Sequence, residues 1–219
     1  MRDIKNLLRN SKVLIVIGDY KEYLKLDKLM AFLSLKDTEV VHIEDLAKFN
    51  LSFFDIILST RKIDCIEADN VIVIKNTFHT LLDIVRVLTN KERLSRIVLG
   101  LDPGASKSGI VILADGVLIY SCSINREAIG KIREILSSLA TYKNVDKITL
   151  RVGFQGLDVL ADFLKESVIE GNDFIEFEVV NEADVKWMKD IYKEVFNDPD
   201  ILSAFVIASS KGKPYEKST

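Results

Sequence analysis

IVLGLDPGASKSGIVILADG, residues 97 to 116, holds two apolar runs separated by an acid, a Pro-Gly bend and a small polar loop. Ile97 to Leu101 have the composition of a buried β-strand, and Ile110 to Ala114 have that of a second one. Asp102 is a poor strand former at the end of the first run. It stands there either as a cap for the Pro103-Gly104 bend or as a carboxylate that the strand delivers to a site. Asp115-Gly116 is a residue pair that closes a two-residue hairpin.

Outward from this stretch, Arg96 to Leu101, Ile110 to Leu113 and Val117 to Ile124 predict an antiparallel meander. Ala128 to Leu139 repeats apolar residues at helical spacing, with Ile132, Ile135, Leu136 and Leu139 on one side. Lys147 to Val152 alternates as a strand, with Ile148, Leu150 and Val152 facing one way. Leu157 to Glu166 predicts a helix, Phe174 to Val180 a strand, Asp184 to Val195 a helix, and Pro199 to Ser209 a strongly apolar last helix.

The pattern of apolar strand, Gly100, Asp102, Pro103-Gly104, Gly109 and second apolar strand resembles the first motif of RuvC-type Holliday-junction resolvases. Those enzymes belong to the RNase H-like superfamily, and the element order over residues 95–210 is the one that fold uses. The resemblance implies an RNase H-like domain acting on branched or structured nucleic acid, with carboxylates holding two Mg²⁺ or Mn²⁺ ions for phosphodiester hydrolysis. It implies a homodimer as well, because a four-way junction is two-fold symmetric.

The resemblance also says where the carboxylates belong: an Asp on the first strand, a Glu on the fourth, and an Asp-x-x-Asp pair leading into the last helix. Asp102 matches the first position. The pair aligns as Asp200 and Ser203, and the fourth strand offers Arg151 instead of Glu. Asp102 and Asp200 are therefore the candidate catalytic and metal-ligating residues, with Asp198 as a stand-in ligand. A guanidinium cannot ligate a cation, so Arg151 is expected to pair with Asp102 and take the electrostatic place of the metal. Two of four carboxylates are missing, which leaves a nuclease and a degenerate, non-catalytic descendant as open readings.

Other residues carry competing readings. Ser106, Lys107 and Ser108 in the Gly104 to Gly109 loop can cradle a phosphate, as can Arg151, so a nucleotide- or phosphate-binding protein is an alternative. A protein-interaction scaffold is another. Val185-Lys186 resembles a Val-Lys pair of RuvC relatives whose lysine lies near the substrate; the competing reading is a surface lysine. Asp198 before Pro199 reads as a helix N-cap with proline in the first turn. Glu182 and Asp184 read either as further acids pointing at the site or as acids of a solvated loop. Trp187 and Tyr192 offer either base stacking or core packing.

Residues 1–94 alternate strand and helix: Lys12 to Ile17, Tyr20 to Lys36, Glu39 to Ile43, Asp55 to Leu58, Val71 to Ile74 and Thr77 to Leu88. This predicts a small three-layer α/β domain with a parallel, flavodoxin- or Rossmann-like sheet and a partner-binding role. Gly18-Asp19, after the first strand, sits where such sheets bind ligands. No GxGxxG follows that strand and no GxxxxGK[ST] occurs, which argues against a nucleotide site there. His42 and His79 read as structural residues. Residues 211–219 are expected to fray as a flexible tail.

Composition sets the outer bounds. The 219 residues are 48% hydrophobic and 29% charged, an ordinary globular balance. Net charge is −3, with 15 basic against 14 acidic residues up to Leu94 and 15 against 19 beyond it, so bulk charge counts against indiscriminate nucleic-acid binding. The apolar runs are too short to span a bilayer, and Cys65 and Cys122 form no CxxC pair, so a cytoplasmic protein with reduced cysteines is expected.

Overall fold

The computed structural model describes residues 1–35, 38–63, 66, 68–104, 106–125, 129–154 and 175–215. The chain folds into two compact units, Met1–Glu92 and Arg93–Thr219.

In the first unit, β1 (Val13–Ile17), β2 (Thr38–His42), β3 (Ile56–Ser59) and β4 (Val71–Val73) form a four-stranded parallel sheet in the order β2-β1-β3-β4. β1 and β3 are near-continuous Val, Ile and Leu because both faces of a central parallel strand are covered, and Val13 to Val16 and Ile56 to Leu58 are buried. Helices α1 (Ile4–Leu8), α2 (Tyr20–Leu33) and α3 (Thr77–Leu88) accompany the sheet. α2 stops short of the predicted Lys36. Ser34 turns left-handed at φ 53° and returns its N–H to Ala31 and Met30, a chain-reversing end that apolar periodicity does not signal. Asn76 caps α3 through the His79 N–H.

The second unit builds β5 (Ile97–Pro103), β6 (Lys107–Ala114) and β7 (Val117–Asn125) as the expected meander. Asp115 and Gly116 take φ values of 47° and 81°, the two positive angles that a twisted two-residue hairpin turn requires. α4 (Ile129–Ala140) leads to β8 (Ile148–Gly153), which pairs parallel with β5 on one side and with β9 (Ile175–Val180) on the other. α5 (Glu182–Tyr192) and α6 (Pro199–Ser209) follow. The strands β7-β6-β5-β8-β9 thus form a mixed sheet whose meander-then-crossover order is consistent with an RNase H-like fold. The helix expected over Leu157 to Glu166 lies outside the described residues.

Two expectations change. Lys213–Pro214 forms a short strand, β10, antiparallel to Val179 and Glu178, so the predicted tail is anchored at this point. α5 begins at Glu182, two residues before the predicted Asp184, because the Asn181 side chain accepts from the Ala183 N–H and caps the helix there. Glu182 is therefore a residue of a helical first turn, not of a solvated loop.

α6 lies unusually close to the sheet, and small residues on both sides allow it. A Cβ on Gly100 would fall against the Ala204 carbonyl and 2.6 Å from the Ala208 Cβ; one on Gly109 would collide with the Asp200 carbonyl. Val98, Val111, Leu113 and Leu118 meet Ala204, Phe205 and Ala208 in the core between them. The two glycines of the motif are thus packing residues that bring the start of α6 to the end of β5.

Among the described residues, no helix is long and apolar enough to cross a membrane.

Candidate functional site

Side chains alternate along β5, so Val98, Gly100 and Asp102 share the face that α6 covers. Asp102 therefore points toward α5 and α6 and is partly buried. Burial pushes its carboxyl above the usual range, the charge of Glu182 pushes the same way, and Asp200 adds to it; Lys189 and a hydrogen bond with Ser203 pull it down. Of the aligned set, Ser203 hydrogen-bonds Asp102 and the charge of Asp200 acts on it. Glu182 and Lys189 join them from α5.

Arg151 does not pair with Asp102. Strand register places Arg151 opposite Gly100 and Val152 opposite Leu101, so the position level with Asp102 is Gly153. The Arg151 side chain is buried. Its Nε donates to Glu178 Oε2 at 2.6 Å, and an Nη donates to the Ala208 carbonyl at 2.7 Å, in the last turn of α6. Arg96 holds the other Glu178 oxygen at 3.1 Å. This guanidinium closes a helix end inside the protein and is not placed to contact a phosphate.

Gly153 explains where the fourth-strand carboxylate went. A Cβ at this position would fall on Glu182 Oε1 and 3.1 Å from Glu182 Cδ. The Glu182 carboxylate, arriving from the first turn of α5, occupies the room that a side chain on β8 would take.

Asp198 is committed elsewhere. Its Oδ1 accepts from the Asp200 N–H at 2.8 Å and the Ile201 N–H at 3.3 Å, and its Oδ2 accepts from Ser123 Oγ at 2.8 Å. The Ser123 hydroxyl, together with these backbone donors and the nearby Lys107, holds its carboxyl below the ordinary range. It is the N-cap of α6, as the Asp-Pro sequence suggests.

The expected phosphate loop is short. Lys107 and Ser108 already belong to β6, opposite Asn125 and Ile124 on β7, and Ser108 is buried opposite Pro103. Ser106 and Lys107 are exposed, whereas Ser108 is not. Lys186 stands exposed on α5, and Lys189, one turn on, is half-buried, with its charge acting on Asp102. Trp187 is 61% exposed, while Tyr192 packs edge-on against Phe205 at 4.9 Å between ring centres. The two aromatics of this helix have separate roles.

Divalent-cation chemistry of the implied kind needs several carboxylates converging on one point. Among the described residues, no group of three or more His, Cys, Asp or Glu is placed to hold a metal ion. Asp102 is biased toward its neutral form, a lysine stands in the field, a serine replaces one acid, and Asp198 is turned into its cap. The residues present do not fit a two-metal centre.

Sequence reasoning passed over Gly153 and Lys189 and weighed Glu182 as an acid aimed at the site against one in a solvated loop. Glu182 and Lys189 are seven residues apart, which on a helix puts them on one edge; a helix start at Asn181 would have made that spacing visible.

No protein-family model matches the chain, and no curated protein matches it. Among solved structures it is similar to Thermus thermophilus RuvC, with 13% identity and a TM-score of 0.39 over 54% of this chain and 99% of that one. It is similar also to T. thermophilus RuvC in complex with a Holliday junction substrate, with 14% identity and a TM-score of 0.37 over 55% of this chain and 99% of that one.

Proposed function

We propose that residues 95–210 form an RNase H-like domain that engages structured nucleic acid without hydrolysing it, preceded by a separate partner-binding α/β domain. The observation that carries the non-hydrolytic part is the content of the cleft: Gly153 stands beside Asp102, Glu182 from α5 fills the position, and the charge of Lys189 acts on Asp102. Such a cleft lacks the strand carboxylate of a two-metal centre and has a lysine charge in its field.

Contact with nucleic acid is assigned to the edge of α5. Lys186, Lys189 and Lys193 recur at helical spacing along one side of this helix, next to the cleft, and Lys107 stands exposed at the start of β6. A local basic edge on an acidic protein suits a partner with regularly spaced phosphates. The nucleotide reading draws less support, since the backbone of Lys107 and Ser108 is engaged in the sheet.

The test is fluorescence anisotropy with a labelled four-way DNA junction and a matching duplex, in chelator. Expected are junction binding without metal and no cleavage with Mg²⁺ or Mn²⁺. Lys186→Ala with Lys193→Ala should flatten the salt dependence by about one unit of log–log slope per lost phosphate contact. Asp102-dependent cleavage would overturn the non-hydrolytic reading, and equal, negligible binding of both DNAs would overturn the nucleic-acid one.

One observation favours a second reading, a protein-docking scaffold. Trp187, Ile191 and Val195 are all more than half exposed and recur every four residues from α5 onward.

A further inference from the structure

α5 presents three different sides. Met188 packs beside the Ser210 hydroxyl at 3.5 Å and Tyr192 meets Phe205 edge-on at 4.9 Å between ring centres, so one side lies against α6. Lys186, Lys189 and Lys193 follow a second edge. The third side carries Trp187, Ile191 and Val195, each more than half exposed. Val195 belongs to the turn after the helix, where its N–H donates to the Tyr192 carbonyl at 2.9 Å. Four-residue spacing sets the three in one row about 12 Å long. An apolar row of this kind gains by being covered.

The charges beside the row say what covers it. Side chains three and four residues apart are neighbours on a helix surface. Asp184 and Asp190 stand three residues before and after Trp187, and Glu194 stands three after Ile191; all three acids are exposed. None of Lys186, Lys189 and Lys193 stands at either spacing from a residue of the row. The charged neighbours of the row within this segment are therefore acids, and the lysine edge lies apart from it.

That border decides among occupants. A second copy laid antiparallel on the same row would bring its own Asp190 and Glu194 beside these two, like charge against like. An anionic membrane surface would meet the same repulsion. A helix with apolar residues at matching spacing, and Lys or Arg next to them, would bury the row and pair with the acids.

We propose that Trp187, Ile191 and Val195, bordered by Asp184, Asp190 and Glu194, form a docking surface for a basic amphipathic helix of a partner protein. The inference rests on the protein-docking reading above and adds the chemistry of the partner; it leaves the lysine edge to a nucleic acid.

Trp187 is the single tryptophan of the chain, so its emission reports on the row directly. The probes are two tryptophan-free peptides of about 18 residues, or five helical turns, with leucines three and four residues apart and either lysine or glutamate elsewhere. The full chain should bind the lysine peptide about tenfold or more tighter than the glutamate peptide, with a blue shift of the Trp187 emission. Asp190→Lys with Glu194→Lys should reverse that preference. Ile191→Asp should abolish the binding and the shift while thermal unfolding stays cooperative. Equal binding of the two peptides would overturn the basic partner and leave the docking reading standing, whereas binding of neither would overturn both. A blue shift with phosphatidylglycerol vesicles and with neither peptide would assign the row to a membrane. Self-association that Ile191→Asp abolishes would assign it to a second copy, and either result would overturn the proposal.

Discussion

The carboxylate of Glu182 lies where a side chain on Gly153 would be, so a helix supplies to the cleft the acid that its strand lacks. The two positions are linked by exclusion: either residue 153 or Glu182 can fill that volume. Gly153→Ala should drive Glu182 outward, with Ile207 Cδ1 at 3.1 Å as the next obstacle. The expected cost is about 1 kcal/mol of stability, as the displaced group is the end of a flexible side chain. With the Glu182 charge removed from its side, Asp102 should titrate lower, which ¹³C NMR of the side-chain carboxyl would register. An unmoved Asp102 would show that Glu182 does not act on it.

Ionising Asp102 costs more in the folded protein than in water. Burial comes first among the causes that raise its pKa, followed by the negative charge of Glu182. An acid whose folded pKa is raised gives its full stability below the unfolded value, near 4, and loses it as the pH rises through the folded value. Asp102→Asn removes that loss and keeps a group able to hydrogen-bond Ser203. Thermal unfolding at pH 7 should show a higher Tm for the variant, and the difference should shrink as the pH falls below about 4. A lower Tm at pH 7 would mean that the ionised carboxylate is a net stabiliser.

The fold was legible because its strongest signals are local. The hairpin at Asp115-Gly116, the continuous apolar run of β1 and the Asp198-Pro199 cap each follow from a short stretch of chain. The site was legible only in part, because strand alternation repeats every two residues. Arg151 and Gly153 share a face of β8, and only the pairing of Leu101 with Val152 says which of them stands beside Asp102. The charged residue drew the alignment, whereas the glycine is the one level with Asp102. The place of Glu182 escaped notice for a related reason: it depends on where α5 starts, and the two-residue shift from Asp184 to Glu182 came from the Asn181 cap.

In the first unit, the end of β1 where parallel sheets commonly take ligands is filled by Glu22. Its carboxylate accepts from Thr60 Oγ1 at 2.5 Å, Arg61 Nε at 2.5 Å and the Gly18 N–H at 2.6 Å, while Asp19 caps the same helix through the Glu22 N–H. The Thr60 hydroxyl and the Arg61 guanidinium are the leading causes that hold its pKa down to about 2. A depressed acid contributes stability above its unfolded pKa, near 4.3, and loses it as the pH falls toward the folded value. Glu22→Gln should lower stability by on the order of 2 kcal/mol at pH 7, and by progressively less between about pH 4 and pH 2. Urea titrations at several pH values would show it; a deficit independent of pH would mean that the contribution is packing and not charge.

Arg151 offers the sharpest separation between an internal and a functional role. It is 6% exposed and bonded to Glu178 and to the end of α6, and Glu178 is shared with Arg96. Arg151→Met strips a buried carboxylate of its nearest cation and leaves the Ala208 carbonyl without its donor. Breaking a buried pair from one side costs about 3–5 kcal/mol, since the remaining charge stays desolvated. Replacing both partners, as Arg151→Met with Glu178→Leu, should restore much of that loss, because the uncompensated charge is then gone. Chemical denaturation of the two variants measures the difference. If Arg151 were instead a phosphate contact, the single variant would keep its stability and lose junction affinity, and the double variant would be no better than the single one.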